Sequence, residues 1–120
     1  MILRVQHAQI TIPKDAEDAG RKFYCDVLGL REVPKPEALQ TRGGFWLEIE
    51  NFQIHVGTED GVEREKSKAH VAYEVENLAA WREKLLKNKV EILEGVPIPN
   101  YQRFEFRDPF GNRVEFLEKI

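Results

Sequence analysis

The sequence predicts an α+β fold of two βαβββ modules that form a cupped, partly open mixed sheet, with the helices on its convex face. Three observations lead there. Short alternating segments and two amphipathic helical segments follow the order strand, helix, three strands, and that order occurs twice. Between the two runs lies an eleven-residue charged stretch, Thr58 to Lys68. The chain has 120 residues, 42% apolar and 32% charged, which suits one globular domain able to bury roughly two thirds of its unfolded surface. The expected organisation is a single domain over 1–120, with module 1 at about 1–57, a linker at 58–68 and module 2 at 69–120.

Val5 to Ile12 alternates, with Ala8, Ile10 and Ile12 on one face and Val5, His7, Gln9 and Thr11 on the other. Pro13 ends that strand, Asp15 is a candidate helix N-cap, and Ala19, Phe23 and Val27 recur at helical spacing before Gly29 stops the helix. Leu30 to Val33 reads as a short strand. The stretch from Pro34-Lys35-Pro36 to Gly43-Gly44 reads as a loop able to line a site. Phe45 to Glu50 and Phe52 to Val56 form a hairpin around Asn51. After the linker, expected to be solvated, His70 to Val75 is a strand, and Asn77 caps a helix carrying Leu78, Trp81 and Leu85 that Asn88 closes. Val90 to Leu93, Gln102 to Arg107 and Arg113 to Lys119 complete the second set of strands, with a Pro-broken loop from Gly95 to Asn100.

Composition excludes several classes. Net charge is −3, with both signs spread along the chain, so nothing suggests a nucleic-acid footprint, and no apolar run approaches the ~18 residues that span a bilayer. The single cysteine, Cys25, cannot form an internal disulfide and reads as a small buried hydrophobe. Met1-Ile2-Leu3-Arg4-Val5 lacks a secretory n-region and cleavage site. The expectation is a soluble cytoplasmic protein with no nucleic-acid or membrane partner.

Overlaying the halves sets His7 on His70, an offset of 63, and the Ile54-His55-Val56 step on Val114-Glu115-Phe116, an offset of 60. All 3 histidines of the chain thus fall, with Glu115, on the first and last strands of the two modules. Imidazole nitrogens with a carboxylate oxygen suit a divalent ion such as Zn, Ni, Co, Fe or Mn, held by residues far apart in sequence. His7, His55, His70 and Glu115 are the candidate metal ligands. Ahead of Glu115 runs Asp108-Pro109-Phe110-Gly111-Asn112, in which Pro109 presets φ and Gly111 or Asn112 can take φ > 0, as a hairpin loop requires.

These residues carry a family resemblance. The His7 strand followed by Phe23-Tyr24 and Leu28-Gly29-Leu30, the Ala69-His70-Val71-Ala72 strand, and the segment from Asp108 to Glu115 resemble the vicinal oxygen chelate superfamily. That superfamily includes glyoxalase I, methylmalonyl-CoA epimerase, fosfomycin-resistance proteins and extradiol dioxygenases. The resemblance covers nearly the whole chain and implies paired βαβββ modules, a cupped sheet, a divalent metal in the cup, and often a homodimer. His7, His70 and Glu115 match three family metal ligands. The fourth position usually carries Glu or Gln in glyoxalase I and the epimerase, whereas this chain has His55, either a ligand or a base beside the metal.

Such a site would polarise the carbonyl of a substrate held through two neighbouring oxygens and would stabilise the charge that develops when Glu115 or His55 takes the adjacent proton. The expected function is a metal-dependent, glyoxalase-like lyase or isomerase acting on such a small molecule, with Glu115 and His55 catalytic. Two alternatives stay open: an extradiol-type dioxygenase with a two-histidine, one-carboxylate site, and a non-catalytic ligand-binding protein like the bleomycin-resistance members. Arg42, Arg103 and Arg107 are candidate anchors for a substrate carboxylate or phosphate, with Trp46, Tyr101 and Phe110 as candidate walls. Glu105 alternates with Arg103 and Arg107 and can pair with them.

Overall fold

The structure, a computed structural model, describes residues 1–120. They fall into two compact units, Met1–Val62 and Glu63–Ile120. The first contains β1 (His7–Ile12), α1 (Glu17–Arg21), β2 (Arg31–Val33), β3 (Phe45–Ile49) and β4 (Phe52–Thr58); the second contains β5 (His70–Glu74), α2 (Leu78–Lys87), β6 (Leu93–Glu94), β7 (Tyr101–Arg107) and β8 (Arg113–Lys119). Each unit holds one four-stranded mixed sheet, ordered β1-β4-β3-β2 and β5-β8-β7-β6, and neither sheet closes on itself. The outer pairs β1–β4 and β5–β8 are parallel and the others antiparallel.

The register repeats as well. Gln9 lies opposite His55 and His7 opposite Gln53, while Ala72 lies opposite Glu115 and His70 opposite Arg113. His55 and Glu115 therefore occupy equivalent places, each two residues along the last strand from the partner of the opening histidine.

Strand alternation divides each sheet into an apolar face and a polar one. In the first unit Phe45, Leu47, Ile54 and Val56 are all at most 1% exposed. α1 approaches so closely that a Cβ on Gly20 would sit 3.0 Å from the Phe45 ring. In the second unit Phe104, Phe106, Val114 and Phe116 are buried, and Trp81 of α2 meets Phe116 edge-on at 5.1 Å. Each such large side chain contributes about 1.5–3 kcal/mol by burial. The helices take the apolar faces, so His7, Trp46 and His55 in one unit and Arg103, Glu105, Arg113 and Glu115 in the other share the opposite faces.

Local expectations are met unevenly. Asn77 starts α2 from the left-handed region, φ 55, and its side chain accepts from Ala80 N at 3.1 Å. Glu118 of β8 adds to that cap by accepting the N–H groups of Asn77 and Leu78 at 2.9 and 3.0 Å. Asp15 is not an N-cap. Pro13 starts a turn in which Ala16 N reaches Pro13 O at 3.2 Å; Asp15 takes φ 66 inside it, and the helix begins at Glu17 with no side-chain cap. α1 then widens into a π-type turn over Lys22–Val27, where Leu28 N bonds Phe23 O five residues back at 2.9 Å.

The charged stretch is not a free tether. Thr58 belongs to β4, Glu59 N bonds Ile12 O at 2.8 Å, and Arg64–Lys66 form a 3-10 turn in which Arg64 is 6% exposed. The loop after Pro34 also holds a 3-10 turn, Glu37–Leu39. β6 is shorter and later than expected because Val90 still caps α2 through Leu85 O at 3.0 Å. No helix is long and apolar enough to cross a membrane.

Candidate functional site

The turn before β8 is built around a buried carboxylate. Asp108 Oδ1 accepts from Phe110 N at 2.9 Å and from Asn112 N at 2.8 Å, and Oδ2 from Asn112 Nδ2 at 2.8 Å. Gly111 takes φ 100, a conformation that a side chain disfavours. Together these fix the point where β8 turns back along β7, and hence the register that sets Glu105 opposite Glu115.

Glu115 is 5% exposed, and each of its oxygens faces one side chain. Oε2 accepts from Arg103 Nε at 2.7 Å, and Oε1 lies 3.2 Å from His70 Nε2. Arg103, with 10% of its side chain exposed, also holds Glu105 through Nη2 at 2.8 Å and Val96 O through Nη1 at 2.8 Å. Glu105 is bonded in turn by Arg113. The Arg113 and Arg103 guanidinium groups hold the Glu105 carboxyl below the usual range, against burial, which works the other way.

The tautomer of His70 follows from its neighbours. Its Nδ1 faces Lys68 O at 2.9 Å, and a carbonyl can only accept, so Nδ1 carries the proton and a neutral ring has a lone pair at Nε2. That lone pair faces Glu115 Oε1, an arrangement that calls for a positive centre, either a proton or a metal ion. Two donors 3.2 Å apart that each bind one ion at about 2.1 Å subtend about 100°, within the range of tetrahedral and octahedral sites. His70 and Glu115 thus fit two adjacent positions on a divalent ion.

The first unit is arranged differently. His55, 7% exposed, is sandwiched: the Trp46 ring stacks on it at 3.8 Å and 2°, the His7 ring at 4.1 Å and 18°. Its Nε2 meets Gln53 Oε1 at 2.9 Å. Burial, followed by the neighbouring His7, lowers its pKa from the ordinary imidazole value, which favours the neutral ring. His7 Nδ1 meets Gln6 Oε1 at 2.6 Å, which leaves its Nε2 bare. An imidazole binds a metal in its ring plane, along the nitrogen lone pair. Two rings 4.1 Å apart and 18° from parallel do not aim lone pairs at one point, so His7 and His55 as arranged do not share an ion. Within either unit, no group of three or more His, Cys, Asp or Glu gathers around a possible metal position.

Residues 4–116 match the family described as the Glyoxalase/Bleomycin resistance protein/Dioxygenase superfamily. The chain belongs to that superfamily. A Bacillus anthracis protein assigned to the glyoxalase family is 37% identical, with 100% of this chain and 98% of that one covered and a TM-score of 0.91. A glyoxalase/dioxygenase from Nostoc punctiforme (18% identity, 98% and 91% covered, TM-score 0.80) shares the fold. So does the fosfomycin resistance protein FosX of Listeria monocytogenes, crystallised with Mn(II) and sulfate (14% identity, 100% and 93% covered, TM-score 0.80). No protein of curated function matches the chain.

In this member of the superfamily the candidate substrate residues separate. Arg42 and Trp46 border a cavity of about 480 Å³ in the first unit, together with His7 and His55. Tyr101 and Arg103 border a recess of about 350 Å³ in the second. Arg103 is held by two carboxylates and a carbonyl, so it orients Glu115 instead of standing free as an anchor. A Cβ on Gly95 would fall 1.9 Å from Arg103 Nη1, so the missing side chain makes room for that guanidinium. Arg107 does not pair with Glu105; it turns to the carbonyls of Arg64, Ser67 and Gly111 at 3.0–3.3 Å. Sequence reasoning passed over Lys35 and Gln9, both on the first cavity. The one signal for Lys35 is its place between two prolines in a loop.

Proposed function

We propose that this chain is a metal-dependent, glyoxalase-like lyase or isomerase acting on a small molecule with two adjacent oxygen donors. Its ligand set is drawn from His7, His70 and Glu115. A divalent ion, when bound, supplies Lewis-acid polarisation of the substrate carbonyl. The observation that carries the reading is the 3.2 Å approach of His70 Nε2 to Glu115 Oε1, with His70 Nδ1 held against Lys68 O.

The chain's own residues divide the remaining work. Arg103 holds Glu115 Oε2 and so presents Oε1. His55, neutral and pinned between two rings, exposes only its edge and is the group able to accept a proton from a molecule in the first-unit cavity. Glu115 is the alternative base. Titrating Ni(II) or Mn(II) into EDTA-stripped protein by calorimetry tests the ligand set. His70→Ala and Glu115→Gln are expected to weaken binding at least a hundredfold and His55→Ala less than tenfold; wild-type affinity in the first two variants would sink the proposal.

One observation favours a second reading. With His55 stacked away from any ion shared with His7, the set reduces to two histidines and one carboxylate, the ligand type of non-haem iron oxygenases. An extradiol-type dioxygenase predicts oxygen uptake by the Fe(II)-loaded chain with a catechol, and no uptake counts against it.

A further inference from the structure

The cavity of about 480 Å³ in the first unit has the size of a small-molecule site, and its charge is one-sided. Lys35 and Arg42 border it and no Asp or Glu does, although the chain has 21 acidic residues against 18 basic ones. Five other arginines find carboxylates: Arg21 pairs with Glu32, Arg31 with Glu48, Arg82 with Glu94, and Arg103 and Arg113 with Glu105, while Arg4 and Arg107 reach backbone carbonyls. Lys35 and Arg42 have no such partner. The Lys35 ammonium lies against the carbonyls of Arg42 and Gly43, which fixes its position and joins the two ends of the loop without neutralising it.

The backbone holds this loop against β4. Gly44 takes φ 97, and a Cβ there would lie 2.0 Å from Val56 O. The neighbouring strands β1 and β4 add a polar surface. His55 has both faces covered, so it offers the cavity only its ring edge. Gln9 adds an amide able to donate.

We propose that this cavity binds the anionic end of a small molecule, a carboxylate or a phospho group, with Arg42 and Lys35 as the charged contacts and Gln9 and the His55 edge as the polar floor. Taking that molecule to be the substrate rests on the function proposed above; the anion site itself does not.

The test uses EDTA-stripped protein. The chain has 2 tryptophans, and Trp46 borders the cavity, so in the Trp81→Phe variant Trp46 alone reports by fluorescence. In the unsubstituted chain the Trp46 indole N–H signal in an NMR titration gives the same information should that variant fail to fold. Propionate, methylphosphonate and the neutral propionamide are the probes. Saturable change is expected with propionate or methylphosphonate and not with propionamide, the stronger of the two anions naming the class. Arg42→Ala should weaken it at least tenfold and Arg42→Lys by less. No saturable response to either anion, an equal response to propionamide, or undiminished binding by Arg42→Ala would overturn the proposal. A chain that binds the anion but takes up no metal keeps this site and loses the metal-dependent function; the converse result does the reverse.

Discussion

Replacing Arg103 with Met keeps most of the stem's volume and removes the fork that joins Glu115, Glu105 and Val96 O. Both carboxylates are almost fully covered, at 7% and 10% side-chain exposure, so their desolvation remains after the cation has gone. Breaking a buried ion pair from one side costs about 3–5 kcal/mol. Glu105 keeps Arg113, which places the loss near the lower end, about 3 kcal/mol. For a chain of this length about 4 °C of Tm accompanies each kcal/mol, so a fall of roughly 12 °C is expected. Thermal scans followed by circular dichroism measure that fall, and urea unfolding measures the free energy. Adding Glu115→Gln removes one orphaned charge, so the double variant should be less destabilised than the sum of the singles by more than about 1 kcal/mol. Arg103→Lys should recover only part, because an ammonium cannot span two carboxylates as a fork. A loss below 1 kcal/mol for Arg103→Met, or strict additivity with Glu115→Gln, would refute the view that this arginine orients Glu115.

Two further predictions concern the frame around that network. The Leu78 and Asn77 N–H groups hold the Glu118 carboxyl below its ordinary pKa, so its contribution is complete above the unfolded value of about 4.3 and disappears as pH falls through the lower folded value. Glu118→Gln should therefore lower Tm at pH 7 and leave a shrinking difference from wild type below pH 4, read by thermal scans across pH. Asp108→Ala leaves the N–H groups of Phe110 and Asn112 without their acceptor, for an expected loss of about 2–3 kcal/mol. Chemical denaturation would show it, and a neutral result would mean that the β7–β8 register is set elsewhere.

Much of the fold was legible because it rests on periodicity. Alternation alone assigned His7, Glu115 and Phe116 to their faces, and the capping chemistry of Asn77 marked the start of α2. Asp15 misled because a cap residue and a turn residue share the same composition; Pro13 decided between them by closing a turn onto Ala16. Alternation also names a face without naming the neighbour on it. That Trp46 covers His55 depends on β3 pairing with β4 in one particular register, and that Arg113, not Arg107, reaches Glu105 depends on side-chain reach across β7 and β8. Pairings of this kind arise from three-dimensional register and carry no sequence signal.

The repeat explains why two halves with the same frame can divide the chemistry between them. His55 and Glu115 occupy equivalent strand positions, and so do their cross-strand neighbours Trp46 and Glu105. In the first unit that pair is an aromatic stack, which excludes a second ligand direction and leaves a neutral imidazole edge on a cavity bordered by cations. In the second it is two carboxylates, which cannot lie side by side without cations between and beside them; Arg103 and Arg113 meet that demand on one side, and the Oε1 that faces His70 is left for another positive centre. Exchanging the pairs would fail for opposite reasons. Glutamates at 46 and 55 would lack the arginines, and a Trp–His stack at 105 and 115 would leave Arg103 and the half-buried Arg113 without counter-charge. The asymmetry between the halves is therefore built into matched positions and their second neighbours together, so a single substitution at 55 or 115 tests one residue while its surroundings still hold the other half's chemistry at bay.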